Sequence, residues 1–486
     1  MNRVTENLSE STDETSTRTA SPLARRRFLH LAGFGVALPV GLSACAAGGG
    51  SSSDEETSDA PAGEVTEDNP FGVADGSAID AVIFDGGYGT DYVAFAAASM
   101  ADLHGDAELT VTPSTQISQQ MQPRFVGGNP PDLLDNSGAN LIAVSTIAAQ
   151  LEDLQPLVDA NNLEGTPIKD TLYPGMLTDG EYDGRLVQLN YVLTVYGLWY
   201  SKSLFDANGW TAPTTWDEAL ALGEQAKAQG KFLFCWGKEA ATYYLTLLID
   251  GAIKEGGDEV RIALGNLEAD CWSLPAVQAV LTKMGEAVSK GYFRPGGAGT
   301  QFTAAQAQWS QAQEAILYPS GSWIENEMKD QTAPDFQMTG APSPSATSSA
   351  SMPATALHAS AGEPFVVPSD GANKAGGMET LRIMLSKEAA TNFAATKLSS
   401  TVVKDTVPDD AFGSTALASQ IAMLEAADTD SFSHTLVDVY GLNTDMLVVW
   451  NSFLSGELDV AGTTSAMQDI VDAVREDDTV TKVTVS

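Results

Sequence analysis

From Ile79 onward, short apolar runs of strand length alternate with stretches of helical period, and this alternation restricts the fold to a largely parallel sheet covered by helices. Residues 79–84 (IDAVIF) predict a strand, followed by Asp85-Gly86-Gly87-Tyr88-Gly89 and a helix from about Asp91 to His104. ELTVT at 108–112 predicts a second strand, residues near 116–126 a helix, and Asp132–Leu134 a short third strand. Tyr182-Asp183-Gly184-Arg185 predicts a turn between two short strands, and YGLWYS at 196–201 a buried strand that places Trp199 in the core. The next helix is marked by Pro213 and Thr214 and by a capping box, Thr215-Trp216-Asp217-Glu218. Further strands are expected near 232–236, 314–318 and 362–367, with the last hundred residues mostly helical. The glycines at 86–89 are out of register with GxGxxG, which gives a dinucleotide site little support.

A chain of 486 residues exceeds one compact core, so two lobes are expected. The net charge of -39, with 64 acidic against 25 basic residues, repels nucleic acid and anionic lipid headgroups and suits a neutral or cationic ligand. The same charge also serves solubility. Cys235 and Cys271 are either a disulfide formed outside the cytoplasm or two buried thiols. The four histidines, His30, His104, His358 and His434, offer no pair at metal-ligand spacing, and neither HExxH nor CxxC occurs. Neither metal nor cofactor is therefore expected.

The N-terminal segment carries an address. Residues 1–24 are polar, and Arg25-Arg26-Arg27-Phe28-Leu29 resembles the twin-arginine export signal, with Ala24 where Ser or Thr is usual and His30 where Lys is usual. The apolar run Leu31–Leu42 is about half the length a spanning helix needs, so it reads as a signal h-region. Leu42-Ser43-Ala44-Cys45 resembles a bacterial lipobox, in which the cysteine is acylated and becomes the first residue. Residues 45–78, rich in Gly, Ser, Asp and Glu, read as a flexible linker with a reach of roughly 30 Å.

Several segments of the body match one family in order and spacing. They are the Tyr182-Asp183-Gly184 turn leading to VYGLWYSK at 195–202, PTTWDE at 213–218 and EAILYPSGSW at 314–323. AGEPFVV at 361–367, AGGMETLRIMLSKEAA at 375–390 and FLSGE at 453–457 continue the series. With these the chain resembles the carbohydrate-type extracellular solute-binding proteins of ABC importers. Residues 70–73, FDGGYGTD at 84–91, QPRFVGGNPPDLLDNS at 122–137 and 189–200 further resemble the actinobacterial lipoproteins that bind N-acetylglucosamine or its dimer. The resemblance implies an α/β, two-lobe periplasmic-binding-protein-like fold with interleaved lobes and a hinge. One lobe would comprise 79–190 with 357–402 and the other 195–340 with 403–486. It also implies a monomer that hands its sugar to permease subunits, with the lipid anchor as the membrane contact and no cofactor.

A sugar site needs aromatic faces and directed hydrogen-bonding groups, gathered in open α/β lobes at the carboxyl ends of strands. Asp85 and Tyr88 follow the first strand, where the alternative roles are a helix-capping carboxylate and a surface tyrosine. Asn136 and Ser137 follow the third strand and suit either sugar hydroxyls or a helix cap. Tyr191 and Thr194 lie where the chain is expected to cross between lobes, as does Tyr196. Trp236 closes a strand and Tyr243 opens a helix. The resemblance makes Trp323 a sugar-stacking residue, against the alternative of a packed core indole, and adds Glu363 and Tyr440. Hydrolysis remains the competing function, because 64 acidic residues make a chance carboxylate pair easy, although no catalytic motif is recognisable. The absence of internal repeats speaks against a structural surface protein.

Overall fold

The computed structural model describes residues 63–486, apart from 139, 140, 174, 183, 435, 481 and 486. The expectations for the export signal, the apolar run and Cys45 lie outside the described residues, as does most of the linker. Among the described residues no helix is long and apolar enough to cross a membrane.

The strands are β1 (Ala78–Phe84), β2 (Glu108–Ser114), β3 (Leu133–Asp135), β4 (Glu181–Tyr182), β5 (Arg185–Leu186), β6 (Leu189–Ser201), β7 (Phe232–Phe234), β8 (Ala315–Gly321), β9 (Met338–Ala341), β10 (Leu357–Val366) and β11 (Ser431–Phe432). Strands β4 and β5 form the expected hairpin. The others form one mixed sheet of order β2-β1-β3-β10-β6-β8-β7, with β11 added beside β10 and β9 beside β6. The first three strands are parallel, as βαβ units require. The long strands β6 and β10 run antiparallel through the middle, pairing Ala359 with Val195 through Phe365 with Leu189.

Two large apolar cores flank this central pair. The first is drawn from 73–192 and 365–403. The second is drawn from 198–356 and 432–471. Between them Val195, Leu357 and Ala359 of the crossing strands form a small cluster with Met423 and Ala427 of the helix Thr415–Ala427. Each core is thus assembled from chain segments on both sides of the other in sequence, which makes β6, β10 and the passage from 403 to 432 the covalent crossings of an interleaved two-lobe fold.

Local signals act as the sequence implies. Thr215 accepts from the Glu218 amide at 3.2 Å, while the Glu218 carboxylate accepts from both the amide and the hydroxyl of Thr214 at 2.8 Å. That start of the helix Trp216–Ala228 contributes about 1 kcal/mol. Trp199 is fully buried, and its indole N–H donates to the Ser320 carbonyl on β8 at 2.9 Å. Cys235 and Cys271 are separate buried thiols rather than a disulfide. Burial pushes both thiols up, away from the reactive thiolate.

Candidate ligand site at the junction of the two cores

Strand β8 is buried along its whole length and delivers Gly321, Ser322 and Trp323 to the junction. Trp323 stands at the start of the short helix Ile324–Met328. Its ring lies so close over Gly321 that any Cβ there would occupy the same space, so glycine is required at 321. Although it follows a strand of the second core, Trp323 packs against the first. Tyr196 of β6 meets it edge-on at 5.6 Å, and Tyr243, at the start of the helix Tyr243–Gly256, meets it at 6.0 Å. His358 of β10 stacks on Tyr196 at 4.2 Å. Trp323, Tyr196 and Tyr243 thus form a continuous aromatic wall of half-buried faces, of the kind that accepts the C–H face of a sugar, with His358 buried behind Tyr196.

Polar groups from the first core come up beside this wall. Tyr88 hydrogen-bonds through its hydroxyl to Ser399 Oγ at 3.1 Å, and Ser322 Oγ lies 3.5 Å from the same atom. Gly87 lies against Trp323 and Glu327, and the Asn326 amide donates to the Gly87 carbonyl. The two halves of the junction are therefore in contact.

Further along, Ser137 Oγ donates to the Asp135 carboxylate, Tyr92 donates to the other Asp135 oxygen at 3.2 Å, and the Glu363 carboxyl lies beside both Asp135 and Ser137. Glu363 does so from φ 51°, a left-handed conformation costly for glutamate. Burial raises the pKa of Asp135 and of the half-buried Glu363 above the ordinary carboxylate value, and for Asp135 the Glu363 charge adds to it. Burial also raises Glu327, which accepts from Gln306 at 2.9 Å.

A folded-state pKa above the unfolded one means that the folded chain binds more protons. The acid pair therefore costs stability as pH rises from the ordinary carboxylate value through the raised one, and the full cost stands above it. Glu363→Gln keeps the shape and removes the charge. It is expected to raise the urea midpoint of the ligand-free protein more at about pH 8 than at about pH 4. Equal shifts at the two pH values would contradict a raised Glu363 carboxyl.

The structure distributes the candidate residues unevenly. It brings Tyr243, Trp323 and the Tyr88 hydroxyl to the junction, with Ser137 and Glu363 in the acid cluster. Thr194 is buried on β6 beside Gly362 of β10. Asp85 is exposed just past β1. Tyr191 is a core residue, stacked among Tyr92, Phe365 and Phe393, with its hydroxyl donating to the Met384 carbonyl at 3.1 Å. Asn136 uses both ends of its amide on the backbone of Ile142, at 2.8 Å each, and so clamps its own loop. Trp236 is buried over Gly297 in the second core. Tyr440 packs at the edge of that core and accepts from the Val483 amide at 3.1 Å.

Residues that sequence reasoning passed over include Asp135, Tyr92, Ser322, Ser399 and Glu327. Asp135 had a signal, since it is the last residue of β3 and so lies at the carboxyl end of a strand. Ser399 had none. It is placed by Leu398, which ends the helix Lys387–Lys397 in the left-handed conformation.

The family model described as "Bacterial extracellular solute-binding protein" matches residues 86–391. The chain belongs to this family. As such a solute-binding protein it works outside the cytoplasm and is not an enzyme. It is 56% identical over 467 residues, 96% of this chain and 99% of the other, to the "Diacetylchitobiose binding protein NgcE" of Streptomyces coelicolor. Among solved structures, RafE in complex with raffinose matches with a TM-score of 0.65 at 17% identity, covering 82% of this chain and 99% of that one. A "Chitin oligosaccharide binding protein" matches with a TM-score of 0.64 at 17% identity, covering 81% of this chain and 98% of that one. At such identities the two structures speak for the fold, which is the two-lobe one.

Proposed function

We propose that this solute-binding protein captures diacetylchitobiose or N-acetylglucosamine between its lobes, as a monomer, and delivers it to the permease subunits of an ABC importer. The lobes are 79–190 with 357–402, and 195–340 with 403–486. The observation that carries the reading is the wall of Trp323, Tyr196 and Tyr243 beside the polar groups of Tyr88, Ser137 and Glu363. A neutral N-acetylated sugar offers that arrangement apolar ring faces, hydroxyls and an amide, and it suits a surface of net charge -39. The relationship to the diacetylchitobiose-binding protein over nearly the whole chain supports the choice of sugar.

Because Gly87 and Asn326 are in contact, entry requires the hinge strands to open, and closure on the ligand would bury it. Glycosidases hold their two carboxyl groups about 5–9.5 Å apart around the scissile bond. Asp135 and Glu363 instead lie side by side, an arrangement unsuited to hydrolysis. A thermal-shift screen over mono- and oligosaccharides tests the reading. A ligand binding only the folded state adds about 2.7 kcal/mol at 100 times its dissociation constant. A rise with chitin-type sugars, well above that with other sugars, is expected. No response to any N-acetylated sugar would refute it.

The protein is further proposed to be exported by the twin-arginine route and held on the outer face of the membrane through acylated Cys45. Cys45→Ser is expected to yield a protein that no longer partitions with membranes. A serine variant still labelled with fatty acid and still sedimenting with membranes would disprove the anchor.

A further inference from the structure

Behind the aromatic wall lies a buried group that the sugar reading does not use. Asp250, on the helix Tyr243–Gly256, is 1% exposed. His358 is on the crossing strand β10, and His434 lies two residues beyond β11. The pairing of His358 with Phe432 brings His434, two residues further on, into reach of His358. Their rings lie 4.4 Å apart. Asp250 Oδ1 is 2.9 Å from His358 Nδ1 and 3.2 Å from His434 Nε2. One ligand atom from each of the three falls within 4.8 Å of the others.

We propose that Asp250, His358 and His434 form a binding site for a divalent cation of the zinc type. An ion about 2.0–2.2 Å from an imidazole nitrogen and a carboxylate oxygen sets those atoms roughly 3–3.5 Å apart, close to the 2.9 and 3.2 Å found from Asp250 to the two histidines. Two electron-rich atoms 2.9 Å apart need a cation between them, a proton or a metal. His434 Nε2 hydrogen-bonds the same Asp250 oxygen that His358 Nδ1 approaches, so the three ligand atoms converge on one point where a metal can take the place of the bridging proton. Two imidazoles and one carboxylate are a donor set for zinc and neighbouring first-row metals rather than for calcium or magnesium.

The surroundings fit the same role. Ser343 Oγ donates to Asp250 Oδ2 at 2.8 Å, which fixes the carboxylate and leaves Oδ1 facing the histidines. The nearest cation, Lys254, sits one turn along the helix and is held by the carbonyls of Ser343 and Ala354 at 2.7 Å. Burial lowers its pKa to about 8 against the pull of Asp250. An ion here would tie the hinge strand β10 to the second core, directly behind Tyr196, which stacks on His358.

The site was hidden in the sequence because its three ligands are spread over 184 residues. The inference does not rest on the identity of the sugar. Its test is Zn2+ uptake by the full chain, purified without a histidine tag, stripped with chelator, mixed with Zn2+ at about pH 7.5 and gel-filtered before metal analysis. Background should be low, since the chain has only four histidines and His104 is engaged by Glu379. About one equivalent is expected, with a raised midpoint of thermal unfolding. His434→Gln and Asp250→Asn should each lose at least about tenfold in Zn2+ affinity while keeping the near-ultraviolet dichroism of the folded chain. Cobalt(II) in place of zinc should give visible d–d bands in the parent and lose them in both variants. Sub-stoichiometric uptake by the parent, or uptake unchanged in folded variants, would overturn the site and leave a proton-bridged cluster.

Discussion

Trp323→Ala is expected to lower sugar affinity by roughly thirty- to a thousandfold, the equivalent of about 2–4 kcal/mol. The indole is half-buried, its face is set by Gly321, and its edges are held by Tyr196 and Tyr243, so its removal takes away the centre of the wall. A fully packed indole would instead show itself in stability, at about 3–5 kcal/mol on truncation. Titration calorimetry reads the affinity, and urea unfolding of the ligand-free protein reads the stability. Lost affinity with a nearly unchanged urea midpoint is expected. Unchanged affinity with a large drop in midpoint would make Trp323 a structural residue and remove the floor from the proposed site.

Glu379→Ala should produce the largest loss of stability, about 3–5 kcal/mol at neutral pH. Glu379 is fully buried on the helix Lys374–Met384 in the first core. Both its oxygens are taken by the Arg382 fork, at 2.6 and 2.7 Å, and His104 Nε2 lies 3.0 Å from one of them. Truncation leaves the Arg382 guanidinium, itself 3% exposed, with only the carbonyls of Asp68 and Asn161 for company. Burial alone would raise the Glu379 carboxyl, but the bonds to His104 and Arg382 and the Arg382 charge hold it below its ordinary value. Its contribution is therefore present above the unfolded carboxylate pKa and is lost as pH falls through the lower folded value. The gap between parent and variant in urea unfolding should be full at about pH 7 and shrink on acidification below about pH 4. A gap that stayed constant across that range would show that the charge network is not its origin.

The elements of this fold were largely legible because their signals are local. The strand at 79–84, the hairpin at 182–185 and the capping box at Thr215 each depend on a few adjacent residues, and each is found within a residue or two of its expected place. The interleaving was not legible in this way. Hydropathy cannot say that β10 returns to lie between β3 and β6, because that pairing joins residues more than 160 positions apart. It entered only through the resemblance to a family.

The site was legible in part for the same reason. Trp323 and Tyr243 sit at element ends, where strand-to-helix boundaries announce them. Tyr191 and Asn136 occupy equally plausible positions, and their direction is decided by the Met384 carbonyl and the Ile142 backbone, which no local pattern reveals. Asp135 was passed over through a single residue of strand boundary, which moved attention to its neighbours Asn136 and Ser137.

The most direct measurement is calorimetric titration of the purified chain with diacetylchitobiose, followed by chromatography of the recovered sugar. Saturable binding with a stoichiometry near one and an intact disaccharide at the end is expected. No heat of binding with either diacetylchitobiose or N-acetylglucosamine, or release of the monosaccharide from the dimer, would contradict the proposal that this chain captures chitin-derived sugar for import.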